Sequence, residues 1–390
     1  MLQRPTLSFY TNIPTPYQIS FFRELAKHFY LKVIFYSITE NNRSWNFSME
    51  DEEFEVVVLK DNFIAKIFQN WVIDYHFSWK IFSVVLNDES ENIIVGGSYW
   101  GANGMLAILI SKLRAKRVVY YSEPLFEASS KLKHVCKWLL LRIVSVGCDY
   151  VFCIGKKAAE SFNKYNIKLP KYVVPYNIDH TLFKSLDNEK LLEYKKQYKS
   201  QNEIIILSSG SLTYRKGMDV LIKAVKGIAH PDLRLIIIGE GPERENLEAL
   251  CNGDNRIFLA GFKHPEELPP FFALADIFAF ASRYDGWAVV INEAIAANVP
   301  VVCSNKVGAA LELLTSSDFG LICESEKVED FKRALEALVF SKGKRDKISS
   351  CSSSLVKLIS SEYNAKLVHS ILTSSCPTVC AKLARPFENA

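Results

Sequence analysis

The sequence predicts an α/β protein made of two doubly wound domains whose parallel sheets face a cleft between them. Three observations carry this reading. Short β-branched apolar runs alternate with helical patterns along most of the chain, as in parallel sheets covered by helices on both faces. The rhythm occurs twice, on either side of a polar stretch. The length of 390 residues exceeds one typical domain, and 49% hydrophobic residues suffices for two cores.

The first run places strands near 6–11, 31–37, 54–59, 92–96, 117–121, 150–154 and 171–174. Its helices fall near 17–29, 76–87, 102–113, 130–146 and 156–164. The second run places strands near 203–209, 233–238, 256–260, 276–280, 299–303 and 319–322. Its helices fall near 216–228, 242–251, 288–298, 308–314 and 326–340. The joint is read at Pro175-Tyr176-Asn177-Ile178-Asp179 and the polar segment that follows it to Asn202. The expected division is 1–180, 181–365 and a tail, 366–390, able to cross back to the first domain. From Glu362 the pattern reads as irregular, broken by Pro377 and Pro386.

A formal charge of +4 gives no reason to expect nucleic acid. The charge is uneven: residues 112–171 hold thirteen Lys/Arg against four Asp/Glu. None of the nine cysteines forms a C-x-x-C pair, which reads as reduced thiols, several of them in apolar runs, in a cytosolic protein. Leu7-Ser8-Phe9-Tyr10 is too short for a signal-peptide core, and no uncharged apolar run approaches the ~20 residues of a membrane span. The expected location is cytoplasmic, either soluble or peripheral on the inner face of a membrane.

Ligands of open parallel sheets sit beyond the carboxyl ends of the strands. The most informative such stretch is Ser282–Ser304, a loop, helix and strand. Asp285 precedes the helix and Glu293 lies within it. Gly286 permits close backbone approach, and the free amides of Trp287, Ala288, Val289 and Val290 suit an anion such as a diphosphate. An ordinary capped helix with a surface glutamate fits the same segment. In GSLTYRKGMDVLIKA (210–224), Arg215 and Lys216 stand beside Gly217 at a helix start, either a phosphate seat or a solvated basic turn.

Together these segments resemble the nucleotide-binding domain of retaining glycosyltransferases of GT-B fold, family 4. The matching runs are SSGSLTYRKGMDVLIKA, LIIIGEGPERENL, IFLAGF, LADIFAFASRYDGWAVVINEAIAANVPVVCS and GAALELL, within 203–340. The resemblance implies two Rossmann-like domains, a nucleotide-sugar donor and transfer with retention. It implies that Glu293 accepts hydrogen bonds from the ribose and that Asp285 holds hydroxyls of the transferred sugar. Lys216 and Arg215 would neutralise the departing diphosphate, helped by amides of Gly286–Val290. Main chain near Phe262 would face the base. The seven histidines are scattered and no D-x-D occurs, so no metal and no cofactor are expected. Family departures are Asp285 for glutamate, Ser211 for arginine, and Ala288 and Asn298 for glycines. Asn298 is read as structural, because Asn tolerates the left-handed conformation.

The first half matches less specifically, through TNIPTPYQISFFREL. There Glu123, after VVYYS, is the candidate for binding acceptor hydroxyls or the developing positive charge, or else a loop cap. Thr15, Pro16 and Tyr17 would border the cleft, and Trp100 could stack on a sugar ring; a rigid turn and a core residue are the plain alternatives. The stretch 129–146 mixes Lys131, Lys133, Lys137 and Arg142 with Trp138 and leucines. It reads as a packed helix with solvated lysines or as a surface for anionic membrane. The function expected is sugar transfer to a saccharide or lipid-linked acceptor in polysaccharide or lipopolysaccharide-type glycolipid assembly. The rivals are a nucleotide-sugar epimerase on the same fold and a non-catalytic nucleotide-sugar binder.

Overall fold

The computed structural model describes residues 4–38, 53–69, 75–126, 130–183, 188–198 and 203–374. Ser129 of the basic stretch, part of the polar junction (184–187 and 199–202) and the tail beyond 374 lie outside the described residues. The chain forms two compact units. Of the described residues, unit 1 takes those up to Asn177 and 361–374; unit 2 takes those within Ile178–Ser360. The expected changeovers were 180/181 and 365/366.

Unit 1 is a parallel sheet of seven described strands in the order β3-β2-β1-β4-β5-β6-β7. They are β1 (Thr6–Thr11), β2 (Tyr30–Phe35), β3 (Glu55–Val58), β4 (Asn92–Gly96), β5 (Arg117–Ser122), β6 (Tyr150–Cys153) and β7 (Lys171–Val173). Helices α1 (Pro16–Ala26), α2 (Phe63–Phe68), α3 (Lys80–Leu86), α4 (Ala102–Leu113), α5 (Lys131–Gly147) and α6 (Lys156–Lys164) connect them. Ile34, Ile93, Val95, Val118 and Val151 fill one core face against Ile81, Ile108, Leu141 and Phe162. These strands are apolar in near-continuous runs because both faces are covered.

Unit 2 has six described strands in the order β10-β9-β8-β11-β12-β13. They are β8 (Ile204–Ser209), β9 (Leu233–Ile238), β10 (Ile257–Leu259), β11 (Ile277–Phe280), β12 (Val301–Ser304) and β13 (Leu321–Cys323). Its helices are α7 (Asn188–Tyr198), α8 (Met218–Lys226), α9 (Arg244–Cys251), α10 (Leu268–Leu274), α11 (Val289–Ala296), α12 (Gly308–Leu313), α13 (Val328–Val339) and α14 (Lys342–Ser352). Ile206, Leu235, Ile237 and Ile277 pack on Leu221, Val225, Phe331 and Leu335.

Five described helices lie outside the sequence reading: α2, α14 and three more. The supposedly irregular tail contains α15 (Ser361–Thr373), a helix of unit 1 packed on α1. Asn364, Ala365, Val368, Ile371 and Leu372 give it a buried helical stripe that its serines obscure in the sequence. The polar junction contains α7, whose Tyr194 and Tyr198 rings lie 4.8 and 5.2 Å from Phe271 on α10. α10 went unread because its Pro269 and Pro270 look like breakers; they occupy its first turn, where no amide partner is needed. Among the described residues every cysteine is a free thiol, and no helix is long and apolar enough to cross a membrane.

Candidate active site

In unit 2 the strand order reverses between β8 and β11, and the loops after these two strands meet at the position where open α/β sheets hold their ligands. The β8 loop turns through Tyr214–Lys216 and ends at Gly217, with φ 67. A Cβ on Gly217 would lie 2.1 Å from the Ala281 carbonyl oxygen, so only glycine lets the two loops close. The Arg215 carbonyl accepts hydrogen bonds from Arg283 N (2.8 Å) and Ser282 Oγ (3.1 Å).

The side chains converge on Asp285. Lys216 passes over the Phe280 ring, 5.0 Å from its centroid, and Nζ reaches Asp285 Oδ2 at 2.6 Å. Arg215 donates to the same oxygen at 3.2 Å and to the Tyr284 carbonyl at 2.9 Å. Lys216 and Asp285 are each 13% exposed, whereas Arg215 is half in solvent. The backbone of Asp285 is fixed as well. Its amide donates to Lys306 O at 3.1 Å, and its carbonyl accepts from Gly308 N at 3.1 Å. The residue expected to hold the sugar and the cations expected at the diphosphate thus form one cluster.

Glu293 differs. It is half-buried on α11, and its carboxylate makes no hydrogen bond or ion pair among the described residues. Burial pushes its carboxyl up to about 7. A carboxylate held this way lacks the hydrogen bonds that would favour its charge, and a ligand carrying hydroxyls could supply them.

The amide seat is narrower than expected. The Trp287 indole is buried and donates to Asn292 Oδ1 at 3.2 Å, so its side chain serves the core. Its amide already donates to Asp285 Oδ1 at 3.3 Å. The amides of Val289 and Val290 open α11 without an intrahelical acceptor. Gly286 is buried beside α12: a Cβ on Gly308 would lie 2.0 Å from the Gly286 carbonyl oxygen. Ala288 holds φ 70, a left-handed conformation that costs an alanine about 1–2 kcal/mol. Asn298 holds φ 56. Ser211 is exposed. Phe262, 43% exposed after β10, meets the His264 ring edge-on at 5.1 Å.

The sequence reading gave Arg283 no role. Its guanidinium bonds Asp219 through two nitrogens at 2.9 and 3.0 Å, bonds Glu326 at 2.9 Å, and lies 3.8 Å from the Tyr214 ring centre. Burial pushes the Asp219 carboxyl up, but the hydrogen bonds and charge of Arg283, with Lys223, outweigh it and hold it below the usual range. This brace joins the β8 and β11 loops. Its only signal in the sequence was an arginine two residues before Asp285.

Unit 1 has a cavity of about 280 Å³ at the carboxyl ends of β1, β4 and β5. Thr15, Tyr17, Trp100 and Glu123 all line it. Pro16 does not; it is exposed at the first position of α1, where a proline fixes the helix start. Thr15 Oγ1 donates to Gln18 Oε1 at 3.0 Å, and Gln18 Nε2 to Thr11 Oγ1 at 3.4 Å. The Tyr176 ring lies 5.2 Å from Tyr17 and 6.1 Å from Tyr121. Burial, then the Glu123 charge, pushes the Tyr176 phenol well above its usual value. It therefore stays protonated and donates to Glu123. The sequence reading overlooked Tyr121, Tyr176, Asn12 and Gln18, which only the fold assembles.

Among the described residues, no three His, Cys, Asp or Glu side chains are grouped to hold a metal ion.

Residues 191–352, all in unit 2, match the family model described as "Glycosyl transferases group 1". The match spans less than half of the chain and makes this unit similar to the group 1 glycosyltransferases. It is 28% identical over 257 residues to the GDP-mannose-dependent alpha-(1-6)-phosphatidylinositol monomannoside mannosyltransferase of Mycobacterium tuberculosis. That match covers 62% of this chain and 66% of the relative. It is 30% identical over 162 residues to the N-acetylgalactosamine-N,N'-diacetylbacillosaminyl-diphospho-undecaprenol 4-alpha-N-acetylgalactosaminyltransferase of Campylobacter jejuni, covering 40% of this chain and 43% of that one. The chain thus spans less than two thirds of the length of these curated relatives. Among solved structures, Anabaena HepE in complex with UDP superposes with a TM-score of 0.77 at 15% identity, over 94% of this chain and 99% of that one. The chain therefore has the two-domain α/β GT-B fold.

Proposed function

We propose that this chain is a retaining, family 4 type glycosyltransferase that moves a sugar from a nucleotide-sugar donor to a saccharide or lipid-linked acceptor, in the assembly of a cell-surface polysaccharide or glycolipid. The observation that carries the proposal is Glu293: a half-buried carboxylate with no side-chain partner among the described residues, on the same loop-and-helix segment as Asp285, to which Arg215 and Lys216 of the β8 loop are bonded. Ribose hydroxyls donate to Glu293. The donor diphosphate draws Lys216 and Arg215 away from Asp285, with the Val289 and Val290 amides adding to its seat. Asp285, released from its cations, accepts hydroxyls of the transferred sugar. Charge building on the leaving diphosphate meets the Lys216 and Arg215 cations. The exposed Phe262 ring and its main chain stand at the base.

On the acceptor side, Glu123, Thr15, Tyr17 and Trp100 bind the incoming saccharide. A lipid-linked acceptor places the enzyme at a membrane surface, and α5 offers a peripheral contact. Leu132, Val135, Leu139 and Val146 are exposed there beside Lys131 and Lys133. Lys137 is no part of it: it is buried and donates to the Phe126 carbonyl.

The test is a thermal-shift screen of the full chain against UDP-, GDP-, ADP- and TDP-sugars, followed by product analysis with candidate acceptors. Transfer or slow hydrolysis of the stabilising donor is expected. Conversion of the donor to an epimer, or binding without turnover, would sink the proposal.

A further inference from the structure

The unit 1 cavity has a one-sided charge content. At about 280 Å³ it stands at the small end of ligand sites and has room for about one sugar ring. Among the described residues its lining includes the carboxylate of Glu123 and no Lys, Arg or His. The rest is hydroxyl, amide and aromatic. Lys137 stands behind this wall. It donates to the Phe126 carbonyl, and its ammonium lies 5.0 Å from the Tyr99 ring centre and 4.7 Å from that of Tyr165.

Two features show that this lining is prepared for a polar, uncharged guest. The Trp100 indole N–H is buried and has no acceptor among the described residues. A buried donor left unmet costs about 1–3 kcal/mol, which a ligand oxygen would recover. The walls are also fixed in advance. Tyr120 Oη donates to the Gly97 carbonyl at 2.8 Å, Thr15, Gln18 and Thr11 form a chain, and Tyr17, Tyr121 and Tyr176 pack ring on ring. A carboxylate or phosphate placed here would face Glu123 with no cation in the lining to offset the repulsion. A sugar ring would lay its apolar face on the aromatics, give hydroxyl protons to Glu123 and accept from Trp100. An ammonium would gain further from Glu123.

We propose that this pocket is an acceptor subsite for a neutral or amino-bearing pyranose, and that Glu123 is the residue that excludes uronic acids and phosphorylated sugars. The proposal rests on the acceptor half of the function above and narrows it.

The test is saturation-transfer NMR on the full chain at tens of millimolar ligand. The probes are methyl glycosides, methyl aminoglycosides and methyl uronides in the gluco, galacto and manno series. At least one neutral or amino probe is expected to bind about tenfold or more tighter than its matching uronide. Glu123→Gln should bring the uronide to within about threefold of the neutral sugar by removing the repulsion. Trp100→Phe should weaken neutral and acidic probes alike. A uronide that binds wild type as well as its neutral partner overturns the proposal. So does discrimination unchanged in Glu123→Gln, or no binding by any probe. Nucleotide-sugar binding on the same samples keeps the two readings apart: if it persists while the glycosides fail, only the subsite is lost.

Discussion

Replacing Glu293 by glutamine tests the donor site through pH. A rise from 4.5 to about 7 corresponds to about 3 kcal/mol against the charged carboxylate. The side chain is half-buried, not sealed, so solvent screening leaves about half of that, ~1.5 kcal/mol. The folded state keeps this proton to higher pH than the unfolded chain does. The protonated form therefore contributes stability that is complete at about pH 4 and is lost as pH rises through about 7. Glu293→Gln removes the charge and keeps the shape. Without ligand, the variant should match wild type at about pH 4 and exceed it by ~1.5 kcal/mol at about pH 8, or roughly 3–6 °C in the Tm of a unit this size. Ligand reverses the balance. Ribose hydroxyls favour the charged carboxylate, so wild type should bind a nucleotide-sugar more tightly as pH rises through 7 and release a proton on binding near pH 6. A nucleotide-sugar is the right probe because its diphosphate is esterified at both ends and keeps a constant charge there. Calorimetry in two buffers of different ionisation enthalpy reads the proton directly. Wild-type affinity that is flat with pH, or equal stability of the two proteins at about pH 8, would refute the assignment of Glu293 to the ribose.

Lys216→Ala should weaken nucleotide-sugar binding about a hundredfold, the loss of a charged hydrogen bond worth ~3 kcal/mol; calorimetric affinity within a few-fold of wild type would remove Lys216 from the diphosphate. Asp285→Ala should lower kcat far more than it raises KM in steady-state assays, because its proposed contact is with the reacting sugar. Arg283→Lys cannot keep the two-nitrogen bond to Asp219 and the Tyr214 stack together, and should cost about 1–3 kcal/mol in urea unfolding. Ala288→Gly should relieve about 1–2 kcal/mol of strain while giving back about 0.4–1 through the unfolded chain, a net gain of ~0.5–1 kcal/mol; a destabilised variant would show that the alanine methyl matters more than φ.

Every strand read from the sequence is present, because strands buried on both faces announce themselves as apolar runs whatever surrounds them. The loops after β8 and β11 were equally legible: Arg215, Lys216, Asp285 and Glu293 sit in short segments whose spacing carries the family resemblance. What the sequence could not show was pairing. Lys216 and Asp285 are sixty-nine residues apart and meet only because β8 and β11 are neighbours. The Arg283 brace and the Tyr17–Tyr121–Tyr176 group likewise depend on strand order. Trp287 misled because its amide, read as free at a helix start, already donates to Asp285 Oδ1 at 3.3 Å. The helices α7 and α15 were missed because serine, lysine and asparagine dilute a stripe that needs only one buried residue per turn.

The route of the chain has one further consequence. Unit 2 begins and ends at a single point: Ile178 pairs with Ser360, and its amide donates to Ile359 O at 3.0 Å. The flanking residues of unit 1 are joined in turn, Ser361 Oγ donating to Asn177 Oδ1 at 2.8 Å. Topologically unit 2 is an insert with its two ends side by side, closed on itself and spliced into unit 1 at one seam. Such an insert can be exchanged by recombination at two adjacent positions without cutting a strand of either sheet. On the proposed division of roles, a lineage built this way would change the sugar it delivers and keep the molecule it delivers to.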